Sequence, residues 1–197
     1  VNSISGTLHN DSGSVHFDGQ KLDGLAAHER THRGLARSFQ LPRPFGSLTL
    51  IENVRVPLLY TAHRESGPLH AGTVDARCEE LLGLVGLAGK ARQKPKDLTQ
   101  VEMRKLELAR AMAAEPKLLI ADESMAGLSH SEVEEIIALL IRLNEQGITI
   151  ILIEHIMRAV MSFSQRIAVL VSGRKIADGE PEAVVNNPEV VSAYLGQ

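Results

Sequence analysis

Two adjacent carboxylates, Asp122 and Glu123, come directly after a short apolar run at residues 118–121. An apolar run of this length between polar residues predicts a strand that is buried on both faces, as in a parallel sheet. Ligands of open α/β sheets bind beyond the carboxyl ends of such strands. Carboxylates at that position could hold a hard cation or activate water. The same pattern also fits a buried strand that ends in solvated acids.

The elements around this run predict how the carboxylates are positioned. Ser129 and Glu132 form a capping-box signature that starts a helix, and Gly147 ends that helix. A second apolar strand is predicted at residues 148–153, buried like the first. Strand, helix and strand at this spacing predict a βαβ crossover between parallel strands.

The preceding residues divide into a β-rich part and a helical part. Short strands are predicted at residues 14–18 and 35–40, and the polar stretch 22–33 is expected to be exposed. Residues 48–115 are predicted to be helical, with capping boxes at Thr49/Glu52 and Thr99/Glu102. The tail predicts a helix at 157–163, two short strands and two terminal helices.

Composition excludes several classes of protein. The net charge of −3 and the aromatic content of 3% give no basic surface and few rings for stacking on nucleic-acid bases, so no nucleic-acid partner is expected. The single cysteine excludes an internal disulfide and a cysteine-based metal cluster. No apolar run is long enough to span a membrane, and no signal peptide opens these residues.

Motifs in a fixed order carry a family resemblance. Gln40 ends a strand, LTQVE at 98–102 opens a helix, Asp122-Glu123 is followed by AGLS at 126–129, and His155 ends the next strand. This order resembles the Q-loop, signature helix, Walker B strand, D-loop and H-loop of the nucleotide-binding domain of ABC transporters. The segments LELARAMAA, PKLLIADE and IILIEH strengthen the resemblance. The tail is similar to that of the ATPase subunits of branched-chain amino acid importers.

The resemblance implies roles in binding and hydrolysing ATP with Mg²⁺. Asp122 would hold the Mg²⁺, and Gln40 would coordinate the metal or the attacking water. Glu123 would polarise that water, while His155 would contact the γ-phosphate and orient Glu123. Taken alone, Gln40 also fits a polar strand end and His155 a structural histidine.

The signature helix and the D-loop are implied to act across a dimer. Thr99, Gln100, Val101 and Glu102 lie at the start of a helix whose backbone N–H groups would face the γ-phosphate of a partner subunit. Ser129 would close a D-loop segment along the dimer contact. Two subunits would thus enclose two ATP molecules.

The resemblance also implies a fold, an assembly and a location. The fold would be a mostly parallel RecA-like sheet with flanking helices, a small antiparallel β portion and a helical subdomain. Residues 1–40 would form a remnant of the core and the antiparallel part, 41–115 the helical subdomain, and 116–197 the core with the Walker B strand, D-loop and H-loop. Partners would be a second ATPase subunit in a homo- or heterodimer, transmembrane permease subunits and, indirectly, a periplasmic or extracellular solute-binding protein. The protein would sit peripherally on the cytoplasmic face of the plasma (inner) membrane.

Two departures from the family pattern affect these expectations. No GxxxxGK[ST] loop occurs in the sequence, and its only Gly-Lys pair, Gly89-Lys90, lacks the other required residues. We therefore expect that the sequence begins inside the helix that follows this loop, and that these residues alone bind ATP weakly and are inactive. In addition, Gln100 and Val101 stand where the signature carries glycines, and their side chains are expected to occupy space that a phosphate would need.

Other functions stay open at this point. A degenerate, non-hydrolysing ABC-type domain could serve as a dimerisation and docking module, which Gln100 and Val101 favour and Glu123 and His155 oppose. A DNA-repair or chromosome ATPase would carry coiled-coil or zinc insertions, and none occurs in this sequence. The loop at 41–49 is predicted to act as a hinge. Apolar residues around and beyond it could meet the permease, or could pack internally: Phe45, Val54, Val56, Leu58 and Leu59.

Overall fold

The computed structural model describes residues 1–38, 42–62 and 71–195. The chain divides into two units, Val1–Ile153 and Glu154–Gln197. The first unit contains strands β1 (His16–Phe17), β2 (Gln20–Lys21), β3 (Leu35–Ser38), β4 (Leu118–Asp122) and β5 (Thr149–Ile153). Its helices are α1 (Asn2–Ser5), α2 (Ala27–Thr31), α3 (Leu50–Ala62), α4 (Ala71–Leu84), α5 (Gln100–Met112) and α6 (His130–Glu145), with 3-10 turns at Ala88–Lys90 and Pro95–Asp97.

Three parallel strands form the main sheet of the first unit, in the order β3–β4–β5. Leu118 of β4 lies opposite Leu35 of β3 and Thr149 of β5. The central position of β4 follows from its composition, because its four apolar residues are buried on both faces. Helix α6 connects β4 to β5, so the predicted strand–helix–strand unit with parallel strands is confirmed.

Strand β5 differs from the prediction of a fully buried strand. Thr149 is exposed and Ile151 is 39% exposed, whereas Ile150, Leu152 and Ile153 are partly buried. Within the described residues, β5 pairs with β4 alone. An apolar run therefore predicted the strand correctly but not its burial, because burial depends on what covers each face.

The N-terminal residues cover one face of this sheet. Their apolar side chains pack on β3 and β4 in a single cluster of buried and partly buried residues: Leu22, Leu35, Leu118, Ile120, Ile4, Val15, Phe17, Leu25 and Ile153. The predicted strand at 14–18 is present as the first half of an antiparallel β1–β2 pair. This face of the sheet thus depends on residues that come before β3.

The prediction that residues 22–33 are exposed is wrong for Leu22 and Arg30. Leu22 is fully buried and Arg30 is 1% exposed. The Arg30 side chain donates to the Leu25 carbonyl through Nε (3.1 Å) and to the Ser3 and Ile4 carbonyls through Nη1 (2.6 and 2.9 Å). A guanidinium can be buried when carbonyls take its donors, and here it holds α1, which is too short to be stable alone.

Helices α3, α4 and α5 pack against one another and form the predicted helical part. The predicted apolar stripe of α4 is confirmed, because all five of its residues are buried: Val74, Cys78, Leu81, Leu82 and Val85. In α3, Val54 and Leu58 are buried, which agrees for these two residues with the alternative that they pack internally. Val56, Leu59 and Tyr60 are 41 to 51% exposed and stay available for a partner.

The second unit contains an antiparallel strand pair with helices packed against it. Its elements are α7 (Met157–Phe163), β6 (Ile167–Val171), β7 (Arg174–Gly179), α8 (Pro181–Val185) and α9 (Pro188–Leu195). Proline stands at the first position of α8 and α9, as predicted. The apolar cluster of this unit centres on Ile167, Val169, Val184 and Val190.

Candidate functional site

The acidic pair lies at the carboxyl end of the central strand. Asp122 is the last residue of β4, and Glu123 follows it with φ = 45°, in the left-handed region that is unfavourable for residues other than glycine. The Glu123 N–H donates to the Ile153 carbonyl at the end of β5 (2.9 Å). The chain turns sharply here, which presents two carboxylates in succession at the edge where ligands of open α/β sheets bind.

Arg37, which sequence reasoning missed, contacts the first of these carboxylates. Its Nη2 donates to Asp122 Oδ2 (2.5 Å), and its Nη1 donates to Asn2 Oδ1 (2.8 Å) and Ser5 Oγ (3.0 Å). Arg37 pairs in register with Ile120, two residues before Asp122, so both side chains are on the same face of the sheet. The alternation of a predicted strand at 35–40 could have indicated this, had the register been known.

The described side chains do not form an open magnesium site. No group of three or more His, Cys, Asp or Glu that could hold a metal occurs in the described parts of the chain. Asp122 is the only predicted metal ligand among the described residues, and its carboxylate already pairs with the Arg37 guanidinium. A second cation at Asp122 would face that positive charge, so the predicted Mg²⁺ role does not fit the site as it stands. The other predicted metal ligand, Gln40, lies outside the described residues.

The start of α5 is closed by a capping box, as predicted. Thr99 is the N-cap and its Oγ1 accepts from the Glu102 N–H (3.3 Å), while Glu102 Oε2 accepts from the Thr99 N–H (3.0 Å). Glu102 also pairs with Lys90 (2.6 Å), and this contact, followed by the Thr99 backbone bond, lowers the pKa of Glu102. Lys90 therefore pairs with the first turn of α5, and the Gly89-Lys90 sequence lies in a 3-10 turn.

The two residues at the glycine positions of the signature behave differently. Val101 is only 9% exposed, so its side chain packs within the chain, and the expectation that it occupies space needed by a phosphate stays a prediction. Gln100 is exposed, and its Nε2 donates to the Ala126 carbonyl (3.3 Å). A Cβ at Gly127, where φ is 79°, would lie 2.6 Å from this Nε2. The start of α5 thus contacts the loop after the acidic pair within one chain.

Ser129 ends this loop and caps α6. Its N–H and its Oγ both donate to Glu132 Oε2 (2.7 Å each). These bonds lower the pKa of Glu132, with the side-chain bond as the larger cause. Ser129 therefore acts as a helix cap, which fixes where the predicted D-loop ends.

His155 belongs to the second unit. It follows the end of β5 by two residues, and its side chain is 68% exposed. Its Nδ1 lies 4.0 Å from Glu154 Oε2.

The loop before α3 is fixed by an asparagine that sequence reasoning also missed. Asn53 is fully buried, its Oδ1 accepts from the Phe45 N–H (2.8 Å), and its Nδ2 faces the carbonyls of Phe45, Leu48 and Thr49 at 2.9 to 3.3 Å. A buried polar side chain that joins loop carbonyls holds the shape of the loop. The periodicity of α3 gave no signal for this role, because Asn53 lies inside a helical pattern.

Helix α5 holds the same loop from the other side. Glu107 Oε1 accepts from the Arg43 N–H (3.2 Å) and from Arg110 Nη1 (2.5 Å). Arg110 also donates to the Arg43 carbonyl (3.1 Å), and its Cζ lies 5.2 Å from the centre of the Phe45 ring. The loop thus keeps its shape through contacts to two helices, while Phe45 itself stays 43% exposed.

Comparisons with known proteins agree with the order of motifs. The sequence pattern of the ABC transporter family matches residues 1–126, and that of the branched-chain amino acid ATP-binding cassette transporter matches residues 174–197. The chain is 36% identical to the high-affinity branched-chain amino acid transport ATP-binding protein LivG of Escherichia coli K12, and 34% identical to BraF of Pseudomonas aeruginosa. Each alignment covers 100% of this chain and 81% of the relative.

Solved structures show the same fold. A nucleotide-free ATP-binding cassette of an ABC transporter has a TM-score of 0.85 at 27% identity, over 100% of this chain and 82% of the other. The ADP conformation of an ATP-binding cassette of an ABC transporter has a TM-score of 0.85 at 28% identity, with the same coverage. A dimeric post-hydrolysis cassette bound to ADP and Pi has a TM-score of 0.80 at 27% identity, over 91% and 78%. The predicted fold class is thereby confirmed.

Proposed function

Because the chain belongs to the ABC transporter family of ATP-binding subunits, we propose that it hydrolyses ATP to energise an importer of branched-chain amino acids or similar small solutes. The observation that carries this proposal is the acidic pair Asp122-Glu123 at the carboxyl end of β4. Relatives named as branched-chain amino acid transport proteins support the class of solute. No helix in the described part of the chain has the length and apolar character that a membrane span requires.

In this proposal Glu123 orients the water that attacks the γ-phosphate of ATP. A carboxylate directly after a parallel strand can accept a hydrogen bond from water while backbone N–H groups face the phosphate. The Glu123 backbone is tied to Ile153, so the turn that carries the carboxylate is fixed to two strands. His155 contacts the γ-phosphate through its exposed ring, as expected from the family pattern. Gln40 is proposed to contact the same water or the metal.

The partners are proposed to be a second ATPase subunit and a transmembrane permease. Thr99, Gln100 and the start of α5 face the nucleotide of the second subunit, and Ser129 closes the loop at the dimer contact. A dimeric relative bound to ADP and Pi supports this arrangement. The solute-binding protein acts through the permease, and the assembly lies on the cytoplasmic face of the membrane.

The permease is proposed to contact the exposed apolar residues of the loop before α3 and of α3 itself. Phe45, Val56, Leu59 and Tyr60 are each more than two fifths exposed. In the chain, these residues follow the segment that contains Gln40. A displacement of this surface by the permease could therefore be transmitted to the nucleotide site. Because Asn53 and Glu107 keep the loop in shape, it would move as one piece, as a hinge requires.

The test is Glu123→Gln in the complete gene product assembled with its permease. The amide keeps the shape of the side chain and removes its charge, so we expect ATP turnover to fall at least about a hundredfold, the loss typical of a missing general base. ATP binding, measured by isothermal titration, should stay within about twofold of the unsubstituted protein. Glu135→Gln is the matched control, because it removes an exposed glutamate that pairs with Lys105 on α5. Loss of ATP binding in Glu123→Gln would assign Glu123 a structural role instead.

The second candidate is a non-hydrolysing docking module. The contact between Gln100 and the Ala126 carbonyl favours it, because a side chain stands at the start of α5 where the family pattern has glycine. This candidate predicts no transport-coupled ATP turnover in the complete assembly. It also predicts that Glu123→Gln changes neither turnover nor transport, which distinguishes the two functions.

A further inference from the structure

Arg37 connects the end of the central strand to the first helix. Its guanidinium lies between the Asp122 carboxylate on one side and Asn2 and Ser5 of α1 on the other. Arg37 and Asp122 are mostly buried, with side chains 15% and 18% exposed. The guanidinium is therefore fixed at three points and shielded from most of the solvent.

We propose that Arg37 is a positioning residue that neutralises Asp122 and competes with divalent cations for its carboxylate. This inference rests on the proposed function and adds to it the expectation from the family pattern that Asp122 meets a divalent cation, which the Arg37 guanidinium opposes in this structure. A carboxylate that accepts a charge-assisted hydrogen bond at 2.5 Å has one oxygen occupied and its charge compensated. The positive guanidinium repels a cation at this carboxylate, so a cation binds Asp122 more tightly when the guanidinium moves away.

The contacts to α1 determine how hard that movement is. Nη1 gives its hydrogens to the Asn2 and Ser5 side chains, while Nη2 serves Asp122. Rotation of the guanidinium away from Asp122 therefore breaks bonds at both ends of the fork. Cation binding at the strand end is in this way linked to the position of α1, which Arg30 holds through the Ser3 and Ile4 carbonyls.

The experiment measures binding of Mn²⁺ alone to the full chain by electron paramagnetic resonance, where free Mn²⁺ gives the sharp signal. Arg37→Gln removes the positive charge and keeps a polar side chain. We expect the affinity for Mn²⁺ to rise by about tenfold or more, the change that follows from losing one competing charge-assisted hydrogen bond. Arg37→Gln combined with Asp122→Asn should return to the affinity of the unsubstituted chain. Arg55→Gln is the matched control, because Arg55 forms an equally short pair with Asp75 on α3 and α4 (2.5 Å).

Two further variants keep the inference testable if Arg37→Gln does not fold. Arg37→Lys keeps the charge, so the affinity for Mn²⁺ should stay low. Asn2→Ala removes one anchor of the guanidinium, and a smaller rise of about twofold to threefold is expected from one lost neutral contact.

Two results would overturn the inference, and the effect of Asp122→Asn alone separates its failure from that of the proposed function. An unchanged or lower affinity in a folded Arg37→Gln variant would mean that Arg37 does not compete for Asp122. A rise that persists with Asp122→Asn would place the new Mn²⁺ site elsewhere. If Asp122→Asn alone lowers Mn²⁺ binding while Arg37→Gln does nothing, the role of Asp122 in the proposed function survives and only the competition fails. If neither variant changes binding, Asp122 does not hold Mn²⁺ and the competition fails, whereas the proposed function is decided separately by ATP turnover in Glu123→Gln.

Discussion

Replacement of Asn53 by alanine should loosen the loop that carries Phe45. The change removes the acceptor of the Phe45 N–H and the donor that faces the carbonyls of Phe45, Leu48 and Thr49. An amide NH₂ has two hydrogens, so its three carbonyl contacts count as two bonds, and with Oδ1 the side chain contributes three. At about 1 kcal/mol net for each bond, the expected loss is about 3 kcal/mol.

Two measurements report this loss. Urea unfolding should give a free energy of unfolding about 3 kcal/mol lower than that of the unsubstituted chain. Amide hydrogen exchange should show faster exchange at Phe45, because its N–H would lose its partner inside the protein. Asn144→Ala is the control, since Asn144 makes one such bond, to the Ile148 carbonyl (2.9 Å). Its loss should be about 1 kcal/mol.

The functional consequence separates this effect from general destabilisation. If the loop transmits force from the permease, Asn53→Ala in the assembled transporter should uncouple ATP turnover from transport, whereas Asn144→Ala should not. A loss below about 1 kcal/mol, with unchanged exchange at Phe45, would refute the reasoning that Asn53 holds the loop. Loss of stability with intact coupling would refute only the transmission of force.

Three further predictions concern other parts of the chain. Arg30→Met should lower the free energy of unfolding by about 3 kcal/mol in urea titrations, because three carbonyls lose their donor, while Arg33→Met nearby should change it by less than about 1 kcal/mol. Arg166 first and Lys175 next lower the pKa of Asp178 to about 2 from 3.8. The stabilisation by Asp178 is therefore present above pH 3.8 and lost as the pH falls towards about 2, so the difference in urea midpoint between Asp178→Asn and the unsubstituted chain should shrink over that interval. Cysteine at Phe45 or Tyr60 should crosslink to the permease in the assembled transporter, and crosslinks only from α9 would place the docking surface elsewhere.

The order of elements could be predicted because each signal was local. The apolar run of β4, the capping residues of α5 and α6 and the stripe of α4 each fix an element from a few neighbouring residues. Pairing of β3 with β4 then brings the strand ends together. The candidate acidic pair was predicted for the same reason, since it is adjacent to a strong strand signal.

The contacts that complete the site could not be predicted, because they join distant parts of the chain. Arg37 and Asp122 are 85 residues apart, and which arginine meets which carboxylate depends on strand register. Arg30 looked exposed in a polar stretch, yet its partners are backbone carbonyls, which have no sequence signature. The exposure of Ile151 likewise depends on what packs against β5.

Position 123 holds a glutamate although its backbone conformation favours glycine or asparagine. With φ at 45° it costs about 1 kcal/mol more than glycine would, so selection for thermal stability alone would replace it. One nucleotide change converts a glutamate codon to a glycine codon. In a lineage that no longer needed hydrolysis, a change of this codon to glycine would make the fold more stable. The glutamate at position 123 would therefore be among the first residues to be replaced. If Glu123 is the catalytic base as proposed, this residue would mark, in genomes that carry this gene, whether ATP hydrolysis is still under selection.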